Sequence, residues 1–202
     1  MENIQLFYAT TNKSKLHNMR FRLQNYPITV LCPDDLNIHI EVEENGSTAL
    51  DNALQKASAN FEIVKLPTIA ADSGVLITGI AKKDQPGLHV RRINGHVLSD
   101  DEMIDYYSTL AKNAGVPCTM QYLTGIALIC ESGIKTMELF DRPLMLCPQP
   151  NRNRNHRGNP LDVVTQTSDG RYFNELTDNE RIAYDQQGEQ SFTQFVVSNL
   201  LP

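Results

Sequence analysis

Between Ser47 and Lys65 the apolar residues Leu50, Ala53, Leu54, Ala57 and Phe61 recur at i, i+3, i+4, i+7 and i+11, the stripe of an amphipathic helix. A strand-sized apolar run stands on either side of it, Thr29-Val30-Leu31 before and Thr68-Ile69-Ala70-Ala71 after. Upstream, residues 4–9 read as a buried first strand and residues 13–23 as a helix stopped by Tyr26-Pro27. Strand, helix, strand, helix, strand is the alternation of an α/β fold. Asn45-Gly46-Ser47 supplies a turn and a candidate N-cap for the striped helix. Asp72-Ser73-Gly74 places Asp72 where the third strand ends.

The middle of the chain changes character. Residues 82–95 are loop-rich, with Pro86-Gly87 and Asn94-Gly95. Ser99-Asp100-Asp101-Glu102 is an N-cap followed by an acidic first turn, opening a helix through Ala111. Residues 117–130 and 134–146 form a predicted long hairpin around Glu131-Ser132-Gly133. Residues 147–160 (CPQPNRNRNHRGNP) carry no apolar periodicity and read as a long loop, a feature often tied to function in a compact domain. Residues 161–164 read as a short strand, Thr177-Asp178-Asn179-Glu180 caps a helix, and residues 191–201 form a last one.

Composition narrows the function classes. At 202 residues with 41% hydrophobic and 21% charged residues, the chain builds a real core as one domain, 1–202, of one or two lobes. A formal net charge of −6 excludes bulk nucleic-acid binding, which needs a basic face, yet leaves room for a small anion held by a few local cations. No apolar run approaches the roughly 20 residues of a membrane span. The first fifteen residues lack the basic and apolar regions of a secretory signal, which predicts a cytoplasmic protein. Cys32, Cys118, Cys130 and Cys147 have no C-x-x-C spacing, so reduced core thiols are expected rather than a zinc ribbon.

Three places carry chemistry-bearing residues. Thr10, Asn12 and Lys15 lie where the first strand meets a helix, and the free N–H groups of a helix start bind anions. An ordinary strand-to-helix turn with solvated lysines has the same composition, and the glycines of a P-loop are missing. Glu41, Glu43 and Glu44 occupy a loop before the striped helix, and Asp72 follows the third strand. Carboxylates beside a phosphate site are what Mg²⁺ requires, although an acidic loop alone is usually a solvated face. Lys56 lies on the helix between them, as a phosphate ligand or a surface cation.

These residues resemble a family. Thr10–Lys15 (TTNKSK, as T-x-N-x-x-K), residues 44–57 (ENGSTALDNALQKA) and residues 71–74 (ADSG) are similar to motifs of the inosine triphosphate pyrophosphatases, the non-canonical purine NTP pyrophosphatases. Glu44 stands twelve residues before Lys56 and Asp72 sixteen after it, the family's spacing of acid, lysine and aspartate. Pro86-Gly87-Leu88-His89-Val90-Arg91 is similar to its PG-x3-R/K loop, and residues 169–181 to the segment before its last helices. The resemblance implies an elongated central mixed β-sheet with flanking helices forming two lobes around a nucleotide cleft. It also implies Mg²⁺-dependent hydrolysis of ITP, dITP or XTP to monophosphate and pyrophosphate, by a homodimer. Under it, Thr10, Asn12 and Lys15 hold the phosphates with Lys56 nearby, and Glu44 and Asp72 ligate the metal. Asp72 also activates water with Lys56 assisting catalysis, Ser73 joins the substrate shell, and Arg91, Asp162 and Arg181 bind substrate.

The departures fall in the other half. Ala71 stands where the family has a second acid, and Asn18 replaces the acid three residues after Lys15. The base-recognising FGYDP motif aligns with Asn159-Pro160-Leu161-Asp162-Val163, where only the Asp survives. Its purine-reading Ser-His-Arg falls on Asp185-Gln186-Gln187-Gly188, so Gln186 and Gln187 become the substrate-binding candidates. A competing match, Asn155-His156-Arg157-Gly158, would leave an overlong tail; His156 and Arg157 then either reach a ligand or are solvated. Three readings follow: a pyrophosphatase with altered base preference, a non-catalytic nucleotide-binding protein on the same fold, and a carbohydrate- or protein-binding module. The last is weakest, since aromatic residues are 7% and tryptophan is missing.

Overall fold

The computed structural model describes residues 3–156, 158–185 and 191–201. In chain order the first elements are β1 (Ile4–Tyr8), α1 (Lys13–Leu23), β2 (Ile28–Leu31), α2 (Ala49–Val64) and β3 (Thr68–Ile77). A small ribbon, β4 (Arg92–Ile93) and β5 (His96–Val97), precedes α3 (Asp100–Ala114). Then come β6 (Cys118–Cys130), β7 (Gly133–Phe140), β8 (Leu144–Leu146), β9 (Thr165–Gln166), α4 (Asp178–Asp185) and α5 (Phe192–Leu200). Among the described residues the sheet is mixed and seven-stranded, in the order β2-β1-β3-β6-β8-β9 with β7 on β6. The α/β class read from the sequence is therefore the observed one.

The chain divides into two compact units, and β3 and β6 run through both. The first comprises the described parts of Met1–Ser73, Thr124–Leu139 and Gly188–Pro202. Here β1 pairs parallel with β2 (Ile4↔Ile28) on one side and β3 (Tyr8↔Ile69) on the other. Because successive strand residues face opposite ways, the two faces divide by parity. Leu6, Tyr8, Ile69, Ala71, Ile126 and Leu128 face α1 and α5, meeting Met19, Leu23 and Val196. Phe7, Ala9, Ala70, Ala127 and Ile129 face Ala53 and Ala57 of α2. Of the stripe read from the sequence, Ala53 and Ala57 are buried, Leu54 and Phe61 pack half-buried against the same cluster and Leu50 is half-buried, while Ala49, Asn52 and Asn60 are also buried on α2.

The second unit comprises Gly74–Leu123 and the described parts of Phe140–Gln187. Its β8 pairs antiparallel with β6 (Cys118↔Leu146) and with β9 (Leu146↔Thr165). Met103, Ile104, Tyr107 and Ala111 of α3 pack on Val75, Ile77, Met120 and Leu146. The β4–β5 turn, Asn94-Gly95, has positive φ at both residues, 51° and 81°, which suits a tight hairpin. All four cysteines are free, and Cys32, Cys118 and Cys147 are buried, as core thiols should be. No helix among the described residues is long and apolar enough to cross a membrane.

Several local expectations are corrected. Asp72-Ser73-Gly74 is no strand end, because β3 continues through it to Ile77. Thr48, not Ser47, caps α2, in a reciprocal box with Asp51 that satisfies two backbone donors. Residues 161–164 are no strand: Pro160–Val163 is a 3₁₀ turn capped by the Asn159 side chain. The predicted hairpin breaks at Asp141-Arg142-Pro143, so that β7 and β8 are separate partners of β6. Gln186, Gln187 and Arg157 lie outside the described residues.

Candidate active site

The sequence-predicted phosphate and metal residues gather in the first unit. Asn12 is the N-cap of α1, its Oδ1 accepting from the Lys15 N–H at 3.0 Å, and Thr10 Oγ1 accepts from the Asn12 N–H at 3.1 Å. The first turn of α1 carries Lys13 and Lys15 and no acid, whereas α2 and α3 each place acids there. Lysines at the positive end of a helix dipole are unfavourable alone and suited to a bound anion. Lys15 reaches across to β3, where its Nζ donates to the Ala71 carbonyl at 3.1 Å. Burial pushes its ammonium below the usual lysine range, and Lys56 adds to that; the carboxylates of Asp72 and Glu44 oppose it.

Lys56 Nζ pairs with Glu44 Oε1 at 2.9 Å. Asp72 Oδ2 accepts from Asn52 Nδ2 at 2.9 Å, and Ser73 Oγ lies 3.0 Å from Thr124 Oγ1 on β6. Two cations and two carboxylates thus share one region, Lys15 within electrostatic reach of the other three. The helix α2 comes close because of Gly125: a Cβ there would stand 2.2 Å from the Leu50 nitrogen.

The remaining candidates belong to the second unit. Arg91 Nη1 pairs with Asp100 Oδ1 at 2.7 Å and also donates to the Leu98 carbonyl, at 3.1 Å. Asp162 and Arg181 are buried together: Oδ2 accepts from Nη1 at 2.7 Å, while Asn159 Nδ2 donates to Oδ1 at 2.7 Å. Arg181 also donates to the Phe173 carbonyl and stacks its guanidinium 4.7 Å from the Phe173 ring centre. Asn159 Nδ2 lies 3.3 Å from the Tyr122 hydroxyl, whose pKa burial raises. His156 is half-buried, with Nε2 3.5 Å from Asp100 Oδ2 and Nδ1 accepting from the Gly158 N–H.

A family model, the Ham1 family, matches residues 6–141, a span that includes Lys15, Glu44, Lys56, Asp72 and most of the sheet. The chain belongs to the Ham1 family. A dITP/XTP pyrophosphatase of Symbiobacterium thermophilum is 32% identical over 189 residues, covering 90% of this chain and 88% of that protein. One of Leptospira interrogans is 38% identical over 97 residues, so the chain spans 48% of that relative's length. Among solved structures, a HAM1 protein of Coxiella burnetii matches with a TM-score of 0.72 at 23% identity, over 98% of this chain and all of that one. The Ham1 protein of Staphylococcus aureus gives 0.68 at 20%, over 97% and 95%. At those identities the solved structures establish the shared Ham1 fold.

The sequence reading missed Asn52, Thr124 and Gly125. Asn52 was legible in part: it precedes Lys56 by four residues and so shares its helix face. Thr124 and Gly125 carry no motif, because their roles come only from strand pairing. Glu44 and Asp72 suit a hard cation, since Mg²⁺ takes one or two carboxylates and fills its shell with phosphate oxygens and water. Among the described residues no group of three or more acids, histidines and cysteines gathers as a self-sufficient cage. The donor set therefore fits a metal that arrives with the phosphates.

Proposed function

We propose that this chain hydrolyses nucleoside triphosphates, non-canonical purine ones such as ITP, dITP or XTP, to the monophosphate and pyrophosphate. The observation that carries the reading is the gathering of Lys15, Lys56, Glu44 and Asp72 beside the start of α1. The pyrophosphatase names of the relatives support it. Thr10, Asn12 and Lys15 bind the phosphate chain with α1's leading N–H groups. Lys56 leaves Glu44 for a phosphate oxygen and offsets charge on the departing pyrophosphate. Asp72, held by Asn52, orients a water for in-line attack and accepts its proton. Glu44 and Asp72 would hold Mg²⁺, which when bound would supply neutralisation of the phosphate charge. Ser73 completes this shell.

Base recognition is proposed for Arg91, Asp162, Arg181, Gln186 and Gln187, with a preference altered from the usual one. Asp162 and Arg181 already hold each other, so they serve as a fixed pair rather than as groups waiting for a partner. A homodimer, taken from the family resemblance, and a cytoplasmic location complete the proposal. A second reading, nucleotide binding without turnover, is favoured by one observation: Ala71, where an acid was expected, lies in the apolar cluster facing α1.

The deciding experiment is pyrophosphate release from a panel with ITP, XTP, dUTP and the standard eight triphosphates, with and without Mg²⁺, for wild type and Asp72→Asn. Mg²⁺-dependent release that Asp72→Asn reduces to a small residual rate supports hydrolysis. Silence across the panel, with nucleotide still raising the melting temperature, establishes the non-catalytic reading.

A further inference from the structure

We infer that Asn52 is a positioning residue for Asp72, a role that rests on the pyrophosphatase reading and adds to it the group that aims its carboxylate. Asn52 is 5% exposed, unusual for a polar residue one turn from a helix start, and both ends of its amide are used. Its Oδ1 accepts from the Gly46 N–H at 2.8 Å and its Nδ2 donates to Asp72 Oδ2 at 2.9 Å. A backbone N–H can only donate, so the contact with Gly46 fixes which end of the amide is oxygen. The N–H pair therefore faces Asp72, which must accept.

One side chain thus ties two pieces of chain that regular structure leaves separate. Gly46 belongs to the loop that carries Glu44, two residues earlier, and Asp72 belongs to β3. The fit at Gly46 has no slack: a Cβ there would lie 2.7 Å from Asn52 Oδ1 and 2.5 Å from Asp51 Cβ. The capping box of Thr48 and Asp51 sets where α2 begins, and hence where residue 52 points. The separation between the loop bearing Glu44 and the carboxylate of Asp72 is therefore spanned by a single amide. A carboxylate that orients water must be held within a fraction of an ångström, and a hydrogen bond from a buried donor does this without taking the proton.

The test compares wild type, Asn52→Asp and Asn52→Ser on the triphosphate that wild type turns over best. Asn52→Asp keeps an acceptor for Gly46 and presents an oxygen to Asp72, whereas the neutral Asn52→Ser is too short to span both partners. Each variant should lose at least about 30-fold in kcat with KM changed by less than about threefold, the split expected when only the transition state feels the change. Binding of a non-hydrolysable triphosphate without Mg²⁺, read by its thermal shift, should stay within about threefold of wild type. In the Asp72→Asn background, read at high enzyme concentration, adding Asn52→Ser should cost less than about twofold, because the group it positions is gone. Wild-type turnover with kcat within threefold in the folded Asn52 variants overturns the assignment and leaves the pyrophosphatase reading standing. An equal loss in the Asp72→Asn background also overturns it, making Asn52 a structural residue only. A wild type silent on every triphosphate removes the reaction, and the positioning role with it.

Discussion

Gly125 offers the sharpest single test of how the first unit assembles. A Cβ on this residue would stand 2.2 Å from the Leu50 nitrogen, 2.4 Å from Leu50 Cα and 2.5 Å from the Ala49 carbonyl carbon. All three atoms are backbone, so no rotamer change relieves the overlap, and the first turn of α2 must leave β6 by about 1 Å to restore ordinary contact. Overpacking a core costs about 1–3 kcal/mol, and a clash against backbone belongs at the upper end. At about 3 kcal/mol, Gly125→Ala should lower the melting temperature by about 6–12 °C for a chain of this size. The rate should fall further than the stability suggests. Asn52 and Lys56 ride on the displaced helix, and a misplacement of about 1 Å at a reacting centre costs about 100-fold. Thermal unfolding and pyrophosphate release from one preparation of folded variant measure both effects. A variant that melts within 2 °C of wild type and turns over within threefold would refute the close approach of α2 to β6.

Three further outcomes are expected. Lys15→Ala should weaken triphosphate binding about 10- to 100-fold, the worth of about 1.5–3 kcal/mol for a hydrogen bond to a charged group, read as KM or as Kd for a non-hydrolysable analogue. Removing one partner of the buried Asp162–Arg181 pair, as in Arg181→Met, should destabilise by about 3–5 kcal/mol, because an uncompensated carboxylate stays inside; urea midpoints at constant m-value report this. Glu180, bonded to Thr177 and Arg171, has its pKa lowered from 4.5 to about 2. A depressed folded pKa adds stability that is present above pH 4.5 and lost as pH falls toward 2, so Glu180→Gln should flatten the acid limb of stability against pH in that window.

What the sequence made legible was what local rules decide. The span of α1 followed from its apolar positions and from Asn12 before it, and the packing of Ala53 and Ala57 of α2 from its stripe. Where the reading failed, a non-local contact had overruled a local preference. Asp72-Ser73-Gly74 looks like a turn, yet Ser73 meets Thr124 and Gly74 gives space to the Gly87 carbonyl, 3.0 Å from where a Cβ would sit. The strand therefore continues through residues that rarely favour one. The run Leu161-Asp162-Val163-Val164 is apolar and short, and periodicity cannot tell such a run from a buried helical turn. Asn159 as a cap and Pro160 at the first position were the overlooked signals.

The same division separates the two groups of residues proposed for the phosphates and for the base. Phosphate is recognised by charge and by helix-start N–H groups, and the residues proposed for it sit at fixed offsets from element boundaries: Asn12 at a cap, Lys15 one turn on, Lys56 two turns into α2. Those offsets survive in sequence as motifs. A base edge is read by polar atoms brought together from distant segments, and Asp162 and Arg181, proposed for that role, are already bonded to one another. Asp162 is held by Arg181 nineteen residues away, and Asn159 by Tyr122 thirty-seven away. No spacing rule links such residues, and each can be replaced if its partner changes with it. Asn159, where the family resemblance would place an aromatic, binds both the Asp162 carboxylate and the Tyr122 hydroxyl. A side chain that satisfies two buried polar groups is costly to replace alone, so selectivity on this side should change through paired substitutions rather than single ones.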